Sequence, residues 1–255
     1  RIEEAIVHAI HEIFERRAHI TVLRQKLVLP TIDPATIKHP IIRAQLDFVR
    51  SKGIEVYIKD MSFGGALPCI GIYFLDPAIP EEFQFHHFFK VGSSFSREDA
   101  LIRCLTEYTQ GRRTDEFIPA HRAEQARVLN IDFRRLQCIA DKDDNFLSAF
   151  MFGMVPYARA DFLKAGDVIP FDKGEYFDDC LDDIARAKDV CRTLGKDCIV
   201  VDLTDPAVGF PVVQVIVPGY SDVLPYNPSS SRVLFKKVTQ NDVVKSYDKA
   251  SILEQ

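Results

Sequence analysis

Residues 3–16, EEAIVHAIHEIFER, divide cleanly when wound at 3.6 residues per turn. Ile6, Val7, Ala9, Ile10, Ile13 and Phe14 form one face, and Glu4, His8, His11, Glu12 and Glu15 form a single stripe opposite, with Arg16 at its border. A weaker pattern of the same kind spans residues 100–112, ALIRCLTEYTQGR. There Arg103, Glu107 and Gln110 border an apolar side of Ala100, Leu101, Cys104, Leu105 and Tyr108. Ser96 followed by Asp99 is an acidic variant of the capping box and predicts the start of this helix; Gly111 predicts its end. Further helices are predicted over residues 39–51, closed by Gly53, over 178–194, ended by Gly195, and over 240–253.

Between the helices the period changes to two. IEVYIKD (54–60), PCIGIYFLD (68–76) and FQFHHFFKVG (83–92) read as strands, the last alternating Phe83, Phe85, His87 and Phe89 with Gln84, His86, Phe88 and Lys90. They form a predicted antiparallel meander leading into the Ser96 helix, with SFGGAL (62–67) as a turn. DCIVVDLT (197–204) and FPVVQVIVPG (210–219) are apolar strands joined by the turn DPAVG. Residues 29–37 are rich in breakers, and residues 113–176 are less regular, with short helical pieces around 122–129. No internal repeat occurs. The fold class expected is α+β, with mixed, mostly antiparallel sheets flanked by helices.

The chain has 255 residues, 47% of them hydrophobic, which allows a sizeable core. Its net charge is −5 and no basic run is long, so nucleic acid is not an expected partner. No apolar run reaches the roughly 18 residues of a membrane span. No signal peptide is visible; the chain starts at Arg1, inside a helical pattern, as if sequence preceded it. Cys69, Cys104, Cys138, Cys180, Cys191 and Cys198 make no CxxC pair and read as small core residues of a cytoplasmic protein.

The glutamate stripe carries the candidate chemistry. Three carboxylates on one helix face repel each other, and no lysine is interleaved at four-residue spacing to relieve them. Hard divalent cations are held by such oxygens beside a substrate's phosphates, so the stripe is a candidate cation and nucleotide site; a solvated face is the ordinary alternative. His8, His11 and Glu12 fall short of HExxH, and a zinc or iron site there lacks further ligands. His86 and His87 point to opposite faces, one expected in the core and one on the surface. Ser93 and Ser94 lack a recognisable His–Asp partner, Gly64-Gly65 lacks the lysine of a phosphate loop, and Asp202 and Asp205 read as turn caps.

EEAIVHAIHEIFER resembles the EA-x(6)-E-x-x-ER motif of YcaO-domain proteins, and RCLTEYTQGR resembles the RA-x-TE-x-x-Q-x-R motif that follows it in that family. The likeness continues through SFGGALPCIGIYFLDP and VVDLTDPAVGFPVVQVIVPGYSDVLP. It covers roughly residues 1–235, in the expected order, as the C-terminal two-thirds of the domain. EIFER, SFGG and VPGYSDVLP are closest to the stand-alone housekeeping members. The resemblance implies ATP and Mg2+ as cofactors. By motif position Glu4, Glu12 and Glu15 would be magnesium or ATP ligands, Arg16 would contact phosphate, Arg103 and Glu107 would complete the site, and Arg112 is a further transfer. The family uses ATP to phosphorylate a peptide amide oxygen, after which a side chain or sulfur donor attacks the activated carbon. No single catalytic residue is assigned.

Three departures accompany the resemblance. The resemblance takes up the family domain partway along, GSSF (92–95) stands where many relatives carry a glycine–histidine pair, and the residues given end in KASILEQ rather than in the proline-rich terminus of azoline-forming members. The expected organisation is a YcaO-like ATP-binding domain over 1–235 and a helical tail over 236–255. The expected function is ATP-dependent activation of a peptide amide, or an accessory role in ribosomal-protein methylthiolation. A peptide or protein substrate, a partner protein presenting it and a homodimer follow from the resemblance. The alternatives are a non-catalytic scaffold that binds a partner protein and a carboxylate–histidine metal enzyme.

Overall fold

The structure, a computed structural model, describes residues 1–81, 86–110, 117–118, 121–122, 124, 155 and 160–221. The predicted helix at 240–253, the 236–255 tail, Phe83, Gln84, Phe85, Gly111, Arg112, Cys138 and most of 122–129 lie outside the described residues.

A meander organises the sheet. Strands β2 (Glu55–Asp60), β3 (Cys69–Leu75) and β4 (His87–Ser93) pair antiparallel in sequence order, as their alternation predicts. The breaker-rich segment adds a strand that its composition conceals. β1 (Thr31–Ile32) pairs antiparallel with β2 and parallel with β5 (Val168–Ile169), giving the order β4-β3-β2-β1-β5. Lys59 fastens this far side. Its buried ammonium donates to Thr31 Oγ1 at 2.7 Å and to the Ala165 carbonyl at 2.6 Å, and burial lowers its pKa to about 8.

Helices cover both faces. The first helix, α1 (Ile2–Gln25), runs well past the predicted 3–16. Its Ile10, Phe14, Ala18 and Val22 join Tyr73, Phe89 and Val91 of the sheet in one core. On the opposite face α2 (Pro40–Ser51) and α3 (Arg97–Thr109) bury Leu46, Val49, Leu101 and Leu105 against Ile70, Ile72, Phe74 and Phe88. The two sets alternate along β3 and β4, so α1 and α3 lie on opposite sides of the same strands. Ser96 caps α3 as predicted, its Oγ accepting from the Asp99 N–H at 3.3 Å.

A short helix α4 (Asp161–Lys164) precedes β5, and α5 (Cys180–Thr193) packs beside α1. Asp179 Oδ1 caps α5 through the Leu181 N–H at 2.9 Å. Strands β6 (Ile199–Asp202) and β7 (Val213–Ile216) form the predicted hairpin as a separate antiparallel pair. Cover on this hairpin is partial: Val215 packs on the α1 core, while Val200, its cross-strand partner, and Leu203, Phe210 and Val212 of the connecting segment are exposed. Asp202 and Asp205 cap turns, accepting from the Thr204 and Ala207 N–H groups.

Gly92 sets the distance between β4 and α3. A Cβ at this position would stand 2.2 Å from the Ala100 carbonyl oxygen, and that backbone cannot swing aside as a side chain could. Gly92→Ala is expected to destabilise the protein by about 1–3 kcal/mol, the usual cost of overpacking. Chemical denaturation measures this, and an unchanged midpoint would mean that α3 yields freely.

Candidate nucleotide and cation site

The polar stripe of α1 does not face solvent along its length. Four residues of the predicted stripe separate by depth: Glu4 and His8 are exposed, whereas His11 and Glu15 are buried. The reason is that α1 is packed on more than one side, against the sheet, α5 and β7. Spacing along one helix shows which residues share a face but not how deep each one lies.

The two motif helices meet beside β4, the terminal strand of the described sheet. Arg103 of α3 places Nη2 at 3.4 Å from Glu15 Oε2 and at 3.6 Å from Glu12 Oε2, and its Nη1 lies 3.4 Å from His8 Nδ1. Arg16 embraces Glu12 from the same helix, with Nε at 2.7 Å and Nη2 at 2.6 Å from Oε1. Glu107 stands 3.9 Å from Lys90 Nζ. The structure thus brings together Glu12, Glu15, Arg16, Arg103 and Glu107. Glu4 is not brought in: it pairs with the Arg1 amino group, and its eleven-residue separation from Glu15 corresponds to roughly 16 Å of helix. Arg112 lies outside the described residues.

Glu15 is the strained member of the group. Burial raises its pKa to about 8, with the neighbouring Glu12 and Glu107 carboxylates adding to the rise and Arg103 and Arg16 opposing it. Its ionised form is therefore short of positive charge, and a divalent cation would supply it. Among the described residues no three His, Cys, Asp or Glu side chains are gathered closely enough to hold a metal ion alone.

One expectation about histidines is corrected. His86, just before β4, and His87, its first residue, are both buried: His86 Nδ1 lies 2.6 Å from the Ile79 carbonyl and His87 Nδ1 lies 3.0 Å from the Tyr73 hydroxyl. His11 also turns inward, with Nδ1 at 2.8 Å from Ser93 Oγ and its ring edge-on to Phe14 and Phe95. Burial lowers its pKa to about 4. Ser93 therefore has a histidine partner that sequence could not reveal, since 82 positions separate the two.

Residues 1–221 match the family model described as YcaO cyclodehydratase, ATP- and Mg2+-binding. The chain belongs to the YcaO family. No curated protein matches it significantly. Among solved structures, a heterocyclase in complex with substrate and cofactor aligns over 86% of this chain with a TM-score of 0.62 and 20% identity. The heterocyclase TruD aligns over 86% with a TM-score of 0.59 and 19% identity. YcaO from Methanopyrus kandleri, bound with AMPPCP and Mg2+, aligns over 88% with a TM-score of 0.54 and 17% identity. The aligned region spans 27%, 28% and 54% of those three chains. At such identity the likeness shows a shared fold, the α+β architecture of YcaO proteins.

The raised pKa of Glu15 has a stability consequence. A carboxyl held above its ordinary value of 4.5 favours the folded state while protonated, and that contribution is lost as pH rises toward about 8. Glu15→Gln should therefore match the parent near pH 5 and melt about 2–4 °C higher above pH 8, as roughly 1 kcal/mol gives in a chain of this size. Thermal melts at both pH values decide it; equal melting temperatures above pH 8 would show that Glu15 ionises without cost.

Proposed function

We propose that this YcaO protein binds Mg2+-ATP between α1 and α3 and uses it to activate a peptide backbone amide. The observation that carries the reading is Arg103 bridging to Glu12 and Glu15 across the sheet edge, with Arg16 beside them. In the structure these groups pair with one another. With Mg2+-ATP they can exchange partners, the carboxylates of Glu12, Glu15 and Glu107 turning to the cation and the guanidinium groups of Arg16 and Arg103 to the phosphates, where their paired N–H donors suit phosphate oxygens. Mg2+ would contribute neutralisation of phosphate charge at the reacting group.

The proposed reaction is phosphoryl transfer. The amide oxygen forms a bond to the γ-phosphorus as the bond to the β–γ bridging oxygen breaks, and ADP leaves. The amide carbon is then open to a nucleophile, and phosphate departs after attack. Such chemistry needs reactants held in line and charge neutralised more than it needs a protein nucleophile, in keeping with a site built from glutamates and arginines.

Calorimetric titration of Mg2+-ATP into the protein tests the reading. Glu12→Ala and Arg103→Ala should each weaken binding at least about tenfold, or ~1.4 kcal/mol. Parental affinity in both variants would remove the nucleotide from between the two helices.

A further inference from the structure

The last two residues of β4 bear on both motif helices at once. The Gly92 Cα hydrogens face α3, close enough to the Ala100 carbonyl that no side chain fits. The Ser93 side chain, one residue on, points to the other face, where its hydroxyl lies 2.8 Å from Nδ1 of His11 on α1. Both partners are buried, Ser93 at 1% exposure and His11 at 4%. His11 stands one helical turn before Glu15 and beside Glu12, and Ser93 stands three residues before the N-cap of the helix that carries Arg103 and Glu107.

We infer that Ser93 and His11 are positioning residues, whose hydrogen bond fixes the rotation and height of α1 against β4 so that Glu12 and Glu15 meet Arg103. The inference rests on the nucleotide reading above. The steric stop at Gly92 holds α3 to one face of the strand, and the polar bond at Ser93 holds α1 to the other. Apolar packing alone leaves a helix free to slide or turn by a fraction of a residue; a buried hydrogen bond does not, because breaking it strands the imidazole nitrogen and leaves the Ser93 hydroxyl only the weak thiol partner of Cys69. The ring's edge-on contacts with Phe14 and Phe95 hold the imidazole in one orientation. GSSF thus has a structural task on this chain, with its first serine turned inward rather than toward a ligand.

The test is a double-mutant cycle read as Mg2+-ATP affinity by calorimetry, with thermal melting to establish folding. Ser93→Ala removes the hydroxyl, His11→Phe keeps the aromatic packing without the nitrogen, and His11→Asn keeps a hydrogen-bonding group near Nδ1. Ser93→Ala and His11→Phe should each weaken binding about five- to tenfold, roughly what one buried hydrogen bond is worth. The double variant should be no worse than either single one, and His11→Asn should restore most of the affinity. Folded single variants with parental affinity would overturn the inference while leaving the nucleotide reading intact. So would losses that simply add, or a His11→Asn variant as weak as His11→Phe. Failure of the unmodified protein to bind Mg2+-ATP would overturn both.

Discussion

The guanidinium of Arg103 joins the two faces of the sheet. It rises from a helix on one side and pairs with two carboxylates from a helix on the other. Glu15 is buried, so its ionised form is costly, and the attraction of Arg103 and Arg16 offsets only part of that cost. Removing one partner of such a group leaves the other charged and poorly solvated. Packing around it follows from this requirement: α3 presses onto β4 where Gly92 leaves room, and α1 is held deep enough to carry a glutamate out of water.

Much of this was legible in the chain because it is periodic. The 3.6-residue pattern located α1, α3 and α5, and the two-residue pattern located the meander, since each pattern reports directly on one buried face. Ser96, Gly53 and Asp202 acted locally and could be read locally. The strand β1 has no signature in the sequence because two residues between prolines make no pattern; its pairing comes from β2 and β5. Burial of both His86 and His87 was hidden for a related reason, as alternation assigns a side chain to a face without saying whether that face is covered. The β6–β7 hairpin and its connection show the converse, with residues as apolar as any core left exposed.

The candidate site was legible in part. Glu12, Glu15, Arg16, Arg103 and Glu107 share two motifs, and the fold gathers them. Glu4 belongs to the same helix face but lies too far along the axis to join them, because a helix keeps its face while advancing 1.5 Å per residue. The His11–Ser93 contact depends on how α1 crosses β4, and no spacing within either segment encodes it.

The pairing of β1 with β5 carries a kinetic consequence. Thr31 lies opposite Val168, 137 positions later, whereas β2, β3 and β4 are neighbours in sequence. Closing so long a loop costs chain entropy before its few hydrogen bonds can form. The expected order of events is therefore an early meander and a late far edge, with amides of β1 exchanging with solvent through openings that leave β3 protected. β5, which reaches the sheet only through β1, would then be the last strand to find its place.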